Sequence, residues 1–183
     1  MRRAAIVLSV AFLALGCAES NPFIVRVSSI NAGAPLLSDV IAVDEATGAA
    51  FVPTDLTPVE FTNRPYSPST VVDPTNFGLD FQITGYSVTW RATNGTPAGL
   101  DLAPYNHTET VSSLVSINGT ASLSALVVSL GMKVAAPFAA LAAGGEIPLI
   151  ADIDFVGSPA VDPSKDVHVQ ATMSVVFANF ADK

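Results

Sequence analysis

Cysteine is almost missing from this 183-residue chain. Cys17 is the only one, so no intramolecular disulfide can form, and no Cys/His set has zinc spacing. Charge is scarce as well: Asp, Glu, Lys and Arg make up 13% of residues, with 8 basic against 16 acidic and a formal charge of −8. Nucleic-acid binders carry a basic stripe that neutralises phosphates, and this balance offers none. The chain is not short of apolar residues (50%), which excludes a disordered acidic tail, since disorder requires too little hydrophobicity to build a core. Catalytic signatures are missing too. No G-x-S-x-G, H-E-x-x-H or S-x-x-K occurs, nor any glycine-rich phosphate loop. The two histidines, His107 and His168, lie outside any nucleophile motif and read as surface or edge residues, so no enzyme is expected. A hydrolase would need one of them within hydrogen-bond reach of a Ser or Asp in a pocket. There is no repeat of solenoid or propeller period, and the length suits one domain.

What is present begins at the front. Arg2 and Arg3 precede a 12-residue apolar run, Ala4 to Leu15, that ends at Gly16-Cys17. A charged start, a short apolar stretch and a small residue at the cut form a secretory signal, too short to span a bilayer comfortably. Ala14-Leu15-Gly16-Cys17 resembles the bacterial lipobox, with Ala in place of the Leu usual three positions before the Cys. The resemblance implies that Cys17 is diacylated through its thioether and that cleavage falls before it. Residues 1–16 are then a lipoprotein signal peptide and residues 17–22 a lipidated Cys with a short tether. Ala18 stands where an Asp would signal inner-membrane retention, so the resemblance points to the outer membrane of a Gram-negative bacterium.

Past the tether, apolar residues recur with period 2, as half-buried strands require. The ladders are Phe23/Val25/Val27, Val59/Phe61, Leu79/Phe81/Ile83, Val111/Val115/Ile117, Ile153/Phe155 and Val167 to Phe177. The apolar set is odd-numbered through Ile83 and even-numbered at Tyr86, Val88 and Trp90, with Gly85 at the switch. One extra residue at a glycine is what a β-bulge supplies, so the pattern predicts one long bent strand from about Phe77 to Ala92 with Trp90 buried. Asn94-Gly95 and Asn118-Gly119 suit positive φ, and the second lies between two strand-like runs, as in a hairpin. Leu123 to Ala143 is apolar with a single charge, Lys133, and carries Pro137. Lys near its middle argues against a membrane span and for a strand, Leu123 to Leu130, followed by a short helix near Ala135 to Ala142 that caps one end. Seven or eight strands spaced this way predict an all-β, antiparallel sandwich over residues 23–183.

Several landmarks occur in order: Ser38-Asp39-Val40, Val52-Pro53-Thr54-Asp55, Val59-Glu60-Phe61-Thr62-Asn63, Ile83 to Trp90, and Ala171 to Asp182. Together they resemble small uncharacterised lipoproteins of Gram-negative bacteria with an immunoglobulin-like or fibronectin-III-like β-sandwich. The resemblance implies that fold and brings no catalytic residues. A true immunoglobulin domain would carry a Cys-Trp-Cys arrangement, which this chain lacks.

Carboxylates supply the remaining chemistry. Asp152 and Asp154 share a strand face, and Asp162 and Asp166 flank a proline loop. Calcium takes six to eight oxygens, and converging loops at one end of a sandwich can provide them, with Asp162 and Asp166 as the first candidates for a structural Ca²⁺. Tyr66 and Tyr105 are the aromatics free to be exposed as stacking surfaces for a sugar, since Tyr86 and Trp90 fall on the inward face. The expected function is a non-catalytic, lipid-anchored envelope module that meets the membrane through Cys17 and an envelope protein or glycan through its loops and edges. The alternative is a ligand-binding module for a glycan or Ca²⁺.

Overall fold

The structure, a computed structural model, describes residues 23–66 and 77–180. Cys17 and the stretch expected to be its signal peptide and tether lie outside the described residues. The described residues form ten strands, the longer of them along segments where apolar and polar residues alternate. β1 (Phe23–Ile30), β5 (Asp55–Pro65) and β8 (Thr120–Val128) pair antiparallel in the order β1-β5-β8. β2 (Leu36–Asp39), β6 (Phe81–Ala92), β7 (His107–Val115), β9 (Glu146–Pro159) and β10 (Val167–Ala178) form a second sheet ordered β2-β10-β9-β6-β7. β3 (Ala42–Val43) and β4 (Ala50–Phe51) make a small ribbon, and one short helix, α1 (Leu130–Val134), follows β8.

The inward residues of the two sheets meet in one core. Phe61 of β5 meets Phe155 of β9 edge-on at 4.9 Å, and Phe23 lies 6.2 Å from Phe81. Trp90 is buried, as its even-numbered phase requires, and its indole N–H donates to the Tyr105 carbonyl at 3.2 Å. The bulge is where the glycine puts it: the register of β6 shifts between Ile83 and Gly85 against both β7 and β9. A Cβ on Gly85 would come 2.9 Å from the Glu109 carbonyl oxygen, so the close approach requires glycine.

The mainly β character stands, and five details differ. The large sheet is mixed, because β2 runs parallel to β10 (Leu36 to Asp39 beside Val175 to Ala178). The strand order is therefore unlike the ABED and CFG sheets of an immunoglobulin domain. The long bent strand starts at Phe81, after a 3-10 turn over Phe77–Leu79 whose Gly78 and Leu79 carbonyls accept from the Val161 amide and the Asn63 side chain. Asn118-Gly119 does make a turn, with Asn118 at φ 59, but it carries the chain from one sheet to the other: β7 pairs with β6, and β8 with β5. Asn94-Gly95 does not adopt positive φ. The Thr93–Thr96 turn is closed by hydroxyl bonds, and Gly95 is needed because a Cβ would lie 2.7 Å from Pro148. The helix comes early, at Leu130–Val134, because Ser129 caps it by accepting from the Met132 amide. Pro137 stops its continuation and a 3-10 turn, Phe138–Ala143, takes over. Among the described residues no helix is long and apolar enough to cross a membrane.

The body has two poles. One holds the start of β1, the end of β5, the start of β6 and the β9–β10 connection. The other holds the start of β5, α1, the end of β6 and the end of β10. The far pole is tied by a buried charge. Lys133 is 1% exposed, and its ammonium donates to Asp55 Oδ2 at 2.8 Å, the Asp39 carbonyl at 2.8 Å and the Pro53 carbonyl at 2.7 Å, using all three N–H groups. Ser38 donates to the same Asp55 oxygen. The charge that argues against a membrane span thus becomes a clasp between α1, β2 and β5.

Candidate functional site

β9 is central in the five-stranded sheet. Its inward Ile153 and Phe155 fix by parity the outward direction of Asp152 and Asp154. Register then sets their neighbours: Ser87 and Gln170 flank Asp154, and Thr89 and Thr172 flank Asp152. These side chains line a shallow, open groove of about 380 Å³ on the sheet's outer face.

Each of the two carboxylates in the groove has a side-chain partner. The Arg91 guanidinium grips Asp152 through both Nε and Nη2, and the Thr172 hydroxyl donates to Asp152 Oδ1 at 2.9 Å. The Arg91 hydrogen bonds hold the Asp152 carboxyl below its ordinary range, against a smaller push from burial, and the same contact raises Arg91. His168 Nδ1 lies 2.7 Å from Asp154 Oδ2. A carboxylate only accepts, so Nδ1 is the donor. One Asp154 oxygen is buried without a partner. The result is a face of hydroxyls, an amide, one Arg–carboxylate ion pair and one His–carboxylate hydrogen bond, suited to hydrogen-bonding a polar ligand.

The other expected residues are dispersed. Asp162 turns its carboxylate back onto the Ser164 amide and hydroxyl, and Asp166 is exposed beside β10. Among the described residues no three acidic, His or Cys side chains gather as a metal site would require. His107 is spent structurally, its ring nitrogens facing the Leu126 carbonyl at 2.9 Å and the Tyr105 carbonyl at 3.3 Å. Tyr86 is buried, as parity implies. Tyr105, expected to be free, packs edge-on against Phe138 at 5.3 Å and donates to the Ala136 carbonyl, so only Tyr66 of the two is exposed. The Arg91–Asp152 and His168–Asp154 pairs went unseen in the sequence. Parity placed the two carboxylates on one face, but their partners are 61 and 14 positions away and depend on strand order.

No family model, no curated protein and no solved structure matches this chain.

Proposed function

We propose that this chain is a non-catalytic, lipid-anchored β-sandwich of the cell envelope, serving as an interaction or structural module at the outer membrane of a Gram-negative bacterium. Its layering is immunoglobulin-like, with a strand order of its own. The observation that carries the reading is where the body begins. β1 opens at Phe23, six positions after Cys17, and enters at one pole, which leaves the loops of the other pole directed away from an anchor. The non-catalytic part rests on the fate of the histidines. Among the described residues, His107 bonds only backbone and His168 bonds Asp154, with no hydroxyl nucleophile on its other nitrogen.

The test is incorporation of labelled palmitate, with a Cys17→Ala control, combined with protease shaving of whole cells. Label in the parent and none in the variant is expected. An unlabelled parent rejects the anchor, and shaving decides which side the body faces.

The groove favours one second reading, a ligand-binding role for a glycan, because Ser87, Thr89, Gln170 and Thr172 present hydrogen-bonding groups on the sheet. The Ca²⁺ expected at Asp162 and Asp166 has no such support, since no third acidic side chain joins them among the described residues. Titration with oligosaccharides, followed by amide NMR shifts, tests the glycan reading, and unmoved resonances along β9 and β10 reject it.

A further inference from the structure

The described part of the chain has five Lys or Arg: Arg26, Arg64, Arg91, Lys133 and Lys165. Two are engaged with carboxylates, Arg91 with Asp152 and Lys133 with Asp55. The three that carry no ion pair among the described residues lie toward the pole at which β1 begins. Arg26 is in the first half of β1 and reaches only the Thr62 hydroxyl, at 3.4 Å. Arg64 is next to last in β5, directly across from Ile24. Lys165 is in the connection from β9 to β10. Exposed apolar side chains stand at the same pole: Ile24 at 46%, Tyr66 at 67% and Val161 at 67%. The opposite pole carries exposed Asp44, Glu45, Asp101 and Glu146, and Lys133, its one lysine among the described residues, is buried. The Asp44 carboxyl is held below its ordinary value, first by the Thr47 amide and then by that of Ala46. Asp162 and Asp166 flank Lys165, and the buried Asp80 lies just before β6, so this pole sets three carboxylates against its three cations, whereas the four exposed carboxylates of the opposite pole have no free cation beside them among the described residues. The chain, formally −8, is therefore polarised along its strands.

We propose that the pole bearing Ile24, Arg26, Arg64, Tyr66 and Lys165 docks on an anionic phospholipid surface. The inference rests on the lipid-anchor reading, because the chain outside the described body leaves from this pole. Residues 17–22 reach at most about 20 Å when extended. The 11 residues of β5 cover about 35 Å. A body held at Cys17 thus keeps this pole within reach of the headgroups while the acidic pole stands beyond them. Arginines attract anionic headgroups over roughly a Debye length, about 8 Å, and an exposed tyrosine suits the interface with its apolar ring and polar tip. The acidic pole is repelled by the same surface, so both ends orient the body the same way.

The experiment uses the acylated protein reconstituted on phosphatidylethanolamine/phosphatidylglycerol vesicles and on phosphatidylcholine vesicles. An environment-sensitive dye is attached through Ile24→Cys, or through Leu130→Cys at the far pole. Expected is a lipid-type emission shift at position 24 on the anionic vesicles, reversed by high salt, and none at position 130. Arg26→Gln and Arg64→Gln each lower the docked-to-free ratio about fivefold. Protein that floats with vesicles while both dyes report water overturns the docking and leaves the anchor standing. An equal shift on phosphatidylcholine overturns the role of the arginines. Protein that fails to float overturns the anchor reading and this inference with it.

Discussion

The two sheets meet along two seams, and they close them by different means. At the β7–β8 seam, side chains of one sheet satisfy backbone groups of the other. The Tyr86 hydroxyl accepts from the Leu126 amide at 2.7 Å, His107 meets the Leu126 carbonyl, and the buried Asn63 amide donates to the Leu79 carbonyl at 2.9 Å and the Val115 carbonyl at 3.0 Å. At the β1–β10 seam the strands run side by side with no hydrogen bond between them among the described residues, and a groove of about 230 Å³ opens between Ile30, Gly33–Pro35 and Thr172–Ser174. That seam is closed at its far-pole end alone, where β2 pairs with β10 and Lys133 holds the Asp39 carbonyl. The contrast shows that this β body is stitched by directional bonds along one of its two seams. The other edge holds by apolar packing and a clasp at its tip.

Breaking the clasp has the largest expected effect. Lys133→Ala leaves the Asp55 carboxylate in a mostly buried site without its counter-ion and frees β2, at a cost of about 4 kcal/mol in urea unfolding. A loss below about 1 kcal/mol would show that packing alone closes this seam. Next is Asn63→Ala, which takes the side-chain donor from two carbonyls at the stitched seam and should cost about 3 kcal/mol. Tyr86→Phe leaves the Leu126 amide without its partner, for about 2 kcal/mol. It also changes the alkaline limb. Burial raises the Tyr86 phenol above its usual value, ahead of the opposing hydrogen bond with Leu126. Its contribution is therefore whole below the unfolded phenol's pKa, about 10, and is lost as pH climbs further. The variant should lose less stability above that pH than its parent, and parallel pH curves would refute this.

Hydrogen exchange sharpens the comparison without mutation. Amides of β1 should exchange before those of β8, because the β1 seam opens without breaking a bond. Equal protection in the two strands would erase the distinction. The smallest effect belongs to the outer groove, where Asp152→Asn removes a solvent-screened pair. The Asp152 carboxyl is held low by Arg91, so its contribution is present above the ordinary carboxylate range and fades as pH falls through the folded value. The variant should differ from its parent at neutral pH and converge with it in acid.

Some of this was readable along the chain. Period-2 ladders located β1, β5, β6, β9 and β10, and the phase change at Gly85 located the bulge, because side-chain alternation is a local property of an extended backbone. β2, β3 and β4 escaped notice because strands of two to four residues are too short to show a period. The candidate groove was half legible: parity put Asp152 and Asp154 on one face, whereas Arg91 and His168 reach them only through β6 and β10 as lateral neighbours.

By itself the sequence determined the β character, the inward faces, the bulge and the burial of Trp90, since each depends on a residue and its near neighbours. It also fixed the acidic balance and the solitary Cys17. Tertiary structure alone decided the strand order, the parallel β2–β10 pair, the passage of Asn118-Gly119 between sheets and the partner of Lys133. Those depend on which distant edges meet, and many pairings bury the same ladders equally well. The choice among them is made by contacts such as Lys133 with Asp55 and Asn63 with Val115, which exist only once the two layers have closed.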